Sequence, residues 1–200
     1  MREGVFMEKI TTSKQEIRSK HLTLRDGLSY SERSSKSEQI WELLKKEESF
    51  QRAQIILAYM DYRSEVMTTE LVKELLTDAS KRVFVPKVEG MDIRFYEITS
   101  LEELTAGYQG IREPASDSEK LFTKQTAASG ECFLIMPGAV FDRDRERLGY
   151  GKGFYDRFVQ EFPDMSRAGL AFACQIALKI PVEGHDKKPD FVVTEKGVIR

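Results

Sequence analysis

Met136-Pro137-Gly138-Ala139-Val140-Phe141-Asp142-Arg143-Asp144-Arg145-Glu146-Arg147-Leu148-Gly149-Tyr150-Gly151-Lys152-Gly153-Phe154-Tyr155-Asp156-Arg157-Phe158 is the stretch on which the reading of this chain turns. It leaves an apolar run, Cys132 to Met136, that has the length and composition of a buried strand. A charged turn follows. Gly149, Gly151 and Gly153 then alternate with Tyr150 and Lys152, and Phe154, Phe158 and Phe162 recur as on one face of a helix. Strand, glycine loop, lysine and helix start, in that order, suggest an anion held by backbone N–H groups at a helix N-terminus. The plainer reading is a tight turn that needs residues tolerant of positive φ. Alternating glycines with a lysine and flanking tyrosines exceed what such a turn needs, so phosphate binding is the stronger reading. The loop fits neither familiar template. Gly153 follows Lys152 where a Walker A loop needs Ser or Thr, and Phe154 stands where a dinucleotide fingerprint needs its third glycine.

Outward from the loop, Asp156 lies just inside the following helix. There it either complements the helix dipole or serves as a magnesium ligand, an ion that takes carboxylates together with phosphate oxygens. Asp186, in a later loop, is a candidate second carboxylate that spacing alone does not establish. His21 and His185 are too isolated for a zinc site.

Toward the N-terminus, Ser13-Lys14-Gln15-Glu16 and Ser29-Tyr30-Ser31-Glu32 have the form of capping boxes and open two helices. Ile10, Ile17, Leu24 and Leu28 give the first an apolar stripe. Lys14, Arg18, His21 and Arg25 give it a second, basic one, either a solvated face or an edge turned toward phosphate. Gln54 to Met60 reads as a central strand, followed by the polar loop Asp61-Tyr62-Arg63-Ser64-Glu65 at the end where open α/β sheets bind ligands. Thr69 caps a further helix. Arg82 to Val88 and Asp92 to Ile98 read as a hairpin with Pro86 near an edge, and Ala168 to Ile176 as one buried strand. Residues 101–129 read as a helical turn and then mostly loop, either functional or a loosely packed insertion. Alternating helix and strand patterns without repeat or linker predict a single α/β domain over residues 1–200 with a largely parallel sheet.

A formal net charge of -2 over 200 residues gives no bulk electrostatic reason to expect nucleic acid or an acidic membrane. No apolar run approaches a membrane span, and Met1 to Lys9 lack the apolar core of a signal peptide. Cys132 and Cys174 sit in apolar runs and read as buried free thiols. A cytoplasmic chain is expected.

Pro137-Gly138-Ala139-Val140-Phe141-Asp142, with Arg147 through Asp156, resembles the signature of the 5-formyltetrahydrofolate cyclo-ligase (methenyltetrahydrofolate synthetase) family, and the resemblance runs across nearly the whole chain. Lys14-Gln15-Glu16-Ile17-Arg18 resembles the family's N-terminal nucleotide contact, Glu65 its acidic folate contact, and Pro181 through Asp186 the segment whose aspartate helps hold magnesium. The resemblance implies ATP- and Mg2+-dependent conversion of 5-formyltetrahydrofolate to 5,10-methenyltetrahydrofolate. ATP would lie against Lys14, Gln15, Glu16, Ile17, Arg18, Arg147, Leu148, Gly149, Tyr150, Gly151, Lys152, Gly153, Phe154 and Tyr155. The folate would contact Met60, Glu65 and the loop from Gly149 to Gly153. Lys152, Arg147 and Tyr155 would act in catalysis, with the metal on Asp156 and Asp186. The implied fold is a three-layer α/β domain, its largely parallel sheet flanked by helices, similar to sugar-phosphate isomerases and CoA transferases. The implied partners are small molecules, with no nucleic acid or membrane, for a monomer or weak homodimer. Two other functions stay open: a phosphosugar isomerase of the same fold, and a non-catalytic nucleotide- or folate-binding module.

Overall fold

A computed structural model describes residues 13–184 and 186–200, so Ile10 and His185 lie outside the described residues. Both capping boxes form. In α1 (Lys14–Asp26) the Ser13 hydroxyl accepts from the Glu16 N–H while the Glu16 carboxylate accepts from the Ser13 N–H, satisfying donors that a helix start leaves orphaned. Ser29 and Glu32 do the same for α2 (Tyr30–Leu44). The buried face of α1 differs from the expected apolar stripe: Ile17 is buried together with His21 and Arg25, while Leu24 is 48 % exposed. The basic stripe turns inward because its partners are polar. His21 Nδ1, for example, meets the Cys174 carbonyl at 2.8 Å.

After the short α3 (Glu48–Arg52), β1 (Ile55–Leu57) occupies only the middle of the run expected as a strand. Helix α4 (Thr69–Leu75) has Thr68 rather than Thr69 at its N-cap, and neither hydroxyl caps it. Asp61 does so from the preceding loop, its Oδ1 accepting from the Thr68 and Thr69 N–H groups, both at 2.8 Å. β2 (Arg82–Glu89) and β3 (Asp92–Ile98) form the hairpin. Pro86 falls beyond the three β2 residues that pair with β1, where a missing N–H costs only one ladder.

The segment read as mostly loop is structured. β4 (Thr105–Ala106) pairs antiparallel with β5 (Arg112–Glu113), and α5 (Lys124–Ala127) follows. β6 (Cys132–Met136) leads to β7 (Val140–Asp142) and β8 (Arg147–Leu148), then α6 (Phe154–Glu161). The strand expected over Ala168 to Ile176 is shorter: β9 (Ser166–Leu170) ends, a 3-10 turn intervenes at Ala173–Gln175, and β10 (Ile176–Ala177) joins another sheet. β11 (Phe191–Thr194) and β12 (Gly197–Ile199) close the chain.

The main sheet has seven strands in the order β12-β11-β9-β6-β1-β2-β3, parallel from β11 to β2 with an antiparallel strand at either edge. Strand alternation divides its side chains between two cores. Ile56, Val83, Phe133 and Ile135 pack with Ile40 and Leu44 of α2 and Leu71 and Val72 of α4. Ile55, Leu57, Phe84, Leu134 and Met136 pack with Phe158, Val159 and Phe162 around α6. Helices cover both faces, which is why the inner strands are apolar throughout rather than alternating. The result is the expected three-layer arrangement. A small sheet, β10-β7-β8, stands beside it and carries the chain into the glycine loop. Cys132 and Cys174 are free, half-buried thiols.

Candidate active site

The loops that leave the C-terminal ends of β1 and β6 meet α1, the loop before α6, Glu183 and Asp186 around one cleft of about 560 Å³. That is the sheet edge where open α/β folds bind ligands.

The charged turn that opens this region is built on Asp142, which is fully buried. Its Oδ1 accepts from the N–H groups of Asp144 and Glu146 and its Oδ2 from that of Ile180, each at 2.9 Å. The turn delivers Arg147 beneath the glycine loop. Arg147 is 5 % exposed and commits its fork to the protein: Nη2 to Asp156 Oδ1 at 2.7 Å, Nη1 to the Pro137 carbonyl and Nε to the Lys187 carbonyl, both at 3.3 Å. A Cβ on Gly149 would sit 3.0 Å from Arg147 Nη1, a tight contact that would press on the guanidinium beneath the loop. Gly151 and Gly153 hold φ of 87° and 66°, which side chains rarely adopt. Gly153 is also the N-cap of α6, and no side chain caps that helix. Its first-turn N–H groups remain available to an anion. Lys152 is exposed, and its ammonium makes no hydrogen bond or ion pair among the described residues.

From α1, Arg18 Nε donates to the Gly149 carbonyl at 2.8 Å. Lys14 pairs with Asp186 at 2.7 Å and with Glu183 at 3.0 Å. Burial pulls the Lys14 ammonium down, but those carboxylates raise it above its ordinary value overall. Arg25 is 4 % exposed and donates to Tyr150 Oη at 2.6 Å, and Tyr150 donates to Glu65 Oε1. Glu65 Oε2 accepts from the Tyr62 N–H at 3.0 Å. Burial pushes the Glu65 carboxyl up, opposed by the Tyr150 hydroxyl and the Arg25 charge, and the net direction is up. Burial first and the Glu65 charge second hold the Tyr150 and Tyr155 phenols well above the usual range, so both stay neutral donors. Tyr155 packs under Arg147, whose guanidinium carbon lies 5.8 Å from the ring centre, and its hydroxyl has no partner among the described residues.

Asp156 and Asp186 both line the cleft. Asp156 Oδ1 takes Arg147 and the Lys187 N–H at 3.0 Å, which leaves Oδ2 without a protein partner among the described residues. Among the described residues, His, Cys, Asp and Glu nowhere gather in threes as a ready metal cage.

Lys14, Arg18, Glu65, the residues from Arg147 to Asp156, and Asp186 are thus brought to one cleft. Gln15, Glu16, Ile17 and Met60 are not. Gln15 and Glu16 are exposed on other faces of α1, and Glu16 closes the capping box. Ile17 packs with Ala139, Val140 and Leu148. Met60 is buried in the core beyond the end of β1, and its neighbour Tyr59, buried in the same cluster, is the one that also lines the cleft. Tyr62, from the polar loop expected at this edge, also lines the cleft, as do Tyr108, Ile111 and Glu113, which sequence reasoning passed over. Glu113 arrives on the two-residue strand β5, too short to carry a period. Arg25 was visible in the basic stripe, but its burial was not.

A profile of the 5-formyltetrahydrofolate cyclo-ligase family matches residues 10–195. A Caenorhabditis elegans protein named probable 5-formyltetrahydrofolate cyclo-ligase is 30% identical over 201 residues, which span 94% of this chain and 96% of that protein. An Arabidopsis thaliana protein named 5-formyltetrahydrofolate cyclo-ligase, mitochondrial, is 28% identical over 215 residues, 96% of this chain and 78% of its own. The solved structure of Aquifex aeolicus 5,10-methenyltetrahydrofolate synthetase is similar at a TM-score of 0.80 and 33% identity, over 94% of this chain and 92% of that one. Among the described residues no helix is long and apolar enough to cross a membrane.

Proposed function

The chain belongs to the 5-formyltetrahydrofolate cyclo-ligase family, and on that premise we propose that it converts 5-formyltetrahydrofolate to 5,10-methenyltetrahydrofolate, driven by ATP, with release of ADP and phosphate. One observation carries the reading: a hydrogen bond from Tyr150 of the glycine loop to Glu65 joins a phosphate-binding element to a buried acid within a single cleft. Such a cleft offers separate groups to an anionic ligand, at the glycine loop, and to one rich in N–H donors, at Glu65.

The chemistry asks for positioning more than for a reactive side chain. A formamide carbonyl is a weak electrophile because its nitrogen donates into it. Transfer of the γ-phosphoryl group of ATP to the formyl oxygen forms the O–P bond, breaks the bond to ADP and leaves a phosphorylated, cationic carbon centre. Nitrogen 10 of the folate attacks that carbon, loses its proton, and phosphate departs as the ring closes. Phosphoryl transfer of this kind depends on alignment and on neutralising charge over the transferred oxygens. The N–H groups from Gly149 to the first turn of α6, with the free ammonium of Lys152, supply that neutralisation. Arg147 acts from below the loop, adding charge and fixing Asp156. Glu65 accepts N–H groups of the pterin, and the neutral Tyr155 hydroxyl donates into the cleft.

The donor set also fits magnesium, which prefers one or two carboxylates and completes its shell with water and phosphate oxygens. Asp156, through its Oδ2, which has no partner among the described residues, and Asp186 are the residues that would hold it. When bound, the ion supplies charge neutralisation across the phosphates. A cytoplasmic location, a monomer or weak homodimer, and a single domain over residues 1–200 belong to the same proposal.

Mixing the purified protein with 5-formyltetrahydrofolate and MgATP, and following the near-ultraviolet absorbance of the methenyl product, tests it. The expected outcome is ATP-dependent growth of that band. No signal above the ATP-free control overturns the reading.

A further inference from the structure

Tyr150 belongs to the glycine loop, yet its hydroxyl is held by groups outside the loop, and the polarity of those bonds is forced. A guanidinium only donates, so Arg25 gives a hydrogen to the phenol oxygen at 2.6 Å, and the single phenol hydrogen goes to Glu65 Oε1. Arg25 is itself fixed: its Nε donates to Ser64 Oγ at 2.9 Å, and Ser64 Oγ donates to Asp26 Oδ1. Glu65 uses Oε1 for Tyr150 and Oε2 for the Tyr62 N–H. Each carboxylate oxygen has a second lone pair, so Glu65 can accept N–H groups from a ligand without releasing Tyr150.

The other end of this chain of bonds is the loop backbone. Arg18 holds the Gly149 carbonyl and Arg25 holds the Tyr150 hydroxyl, which straps the start of the loop to α1 at two points. Past Tyr150 the loop is more open: Gly151 and Lys152 are exposed. The Tyr150 ring is itself 45 % exposed although its hydroxyl is turned inward. A ligand seated on Glu65 would cover that ring.

Building on the assignment of folate to Glu65 and of phosphate to the loop, we infer that Tyr150, positioned by Arg25, couples the two substrates. A folate ring on Glu65 covers the phenol, shuts water out of the Arg25–Tyr150–Glu65 bonds and orders the loop that receives phosphate. ATP then meets a loop whose ordering cost is already met, and by linkage each substrate tightens the other's binding by the same factor.

Calorimetric titration of MgATP, with and without saturating tetrahydrofolate, tests this. Tetrahydrofolate lacks the formyl oxygen that would be phosphorylated, so no turnover intervenes. In the unsubstituted protein the folate should tighten ATP binding by about fivefold or more, within the usual range of coupling between sites. In Tyr150→Phe that ratio should fall to unity, whatever happens to either affinity alone. Local damage to one site changes an affinity but not the ratio. Arg25→Lys keeps the charge without the fork that reaches both Ser64 and Tyr150, and should lower the ratio as well. The inference is overturned if both ligands bind the unsubstituted protein independently, or if Tyr150→Phe keeps the full ratio. A full ratio in Arg25→Lys removes Arg25 from the coupling. Unsubstituted protein that binds neither ligand overturns the cyclo-ligase reading and this inference with it.

Discussion

Two cavities of nearly equal size lie at opposite ends of the sheet, about 560 Å³ at the C-terminal ends of the parallel strands and about 570 Å³ between α5, α6 and the starts of β6 and β9. Their walls differ more than their volumes. The second cavity is lined by two short stretches of chain, 124–132 and 161–166. Two of its four charged groups face outward partners, Glu131 with Arg52 at 3.2 Å and Glu161 with Arg94 at 3.6 Å, while Lys124 and Asp164 make no ion pair among the described residues. Cys132 donates weakly to the Ala127 and Gly130 carbonyls, and burial pushes its thiol up, which keeps it protonated and unreactive. The first cavity draws on elements from Lys14 to Asp186, and the Lys152 ammonium and Asp156 Oδ2 in it have no partner among the described residues. Size is therefore a poor guide to a site. Convergence of residues distant in sequence is a better one, since unpaired charged groups line both cavities.

The largest effect should come from the group with nothing else to do. Lys152→Ala is expected to lower kcat by about 10²–10³-fold, the usual loss for one electrostatic contact to a transferring group. The side chain is exposed and supports nothing in the fold, so the melting temperature should hold. Near-normal turnover would remove Lys152 from the phosphate site.

Asp156 comes next. Asp156→Asn should raise the magnesium concentration for half-maximal rate by at least about tenfold, a typical penalty for disturbing a metal's surroundings. The amide can still accept from Arg147 through its oxygen, so circular dichroism should change little. An unchanged magnesium titration assigns the ion elsewhere.

The two sides of the cleft were unequally legible from sequence, and the reason is range. The glycine loop and its following helix are local: alternating glycines, a lysine and an i, i+4 aromatic face lie within one stretch, and their geometry follows from positive φ and helical spacing. The basic stripe of α1 was legible only as a stripe. Periodicity says which residues share a face, whereas Ser64 and Tyr150, remote in sequence, decide that this face turns inward. The side of the chain that Met60 would take was not legible either, because β1 ends at Leu57 and no strand period runs on to say that Tyr59 rather than Met60 lines the cleft. The wall carrying Glu113 left no local trace. A Cβ on Gly107 would collide with the Glu113 carboxylate, and the Val88 N–H holds Glu113 Oε1 at 3.1 Å, yet neither contact is visible before the chain is folded.

That wall allows a finer test. Glu103 anchors the segment leading to it. Burial raises the Glu103 carboxyl, but Lys120, the Thr99 N–H and hydroxyl and the Ser100 N–H outweigh it and bring it from 4.5 to about 2. The folded state thus binds this proton less readily than the unfolded state. Its contribution is present in full above the unfolded value and is lost as pH falls through the folded one. The side chain is 28 % exposed, so solvent screening reduces the effect. Glu103→Gln should destabilise by about 1–2 kcal/mol near neutral pH. Urea unfolding should find the gap narrowing as pH falls below about 4.5. A gap that stays constant down to about pH 3 would mean that the ionised carboxylate is not what holds the segment.

The smallest effect is the one that could break the comparison of the two cavities. Ala128 lines the second cavity and is exposed. Ala128→Trp puts a large ring there while touching none of the groups assembled at the cleft. A substitution at such a surface usually changes energies by no more than about 0.5 kcal/mol, which limits the change in kcat/KM to about twofold. A tenfold loss for either substrate in a variant of normal melting temperature would show that the second cavity communicates with the first. Convergence of distant segments would then be an incomplete criterion, and the quiet end of the sheet would have to be counted as part of the catalytic machinery.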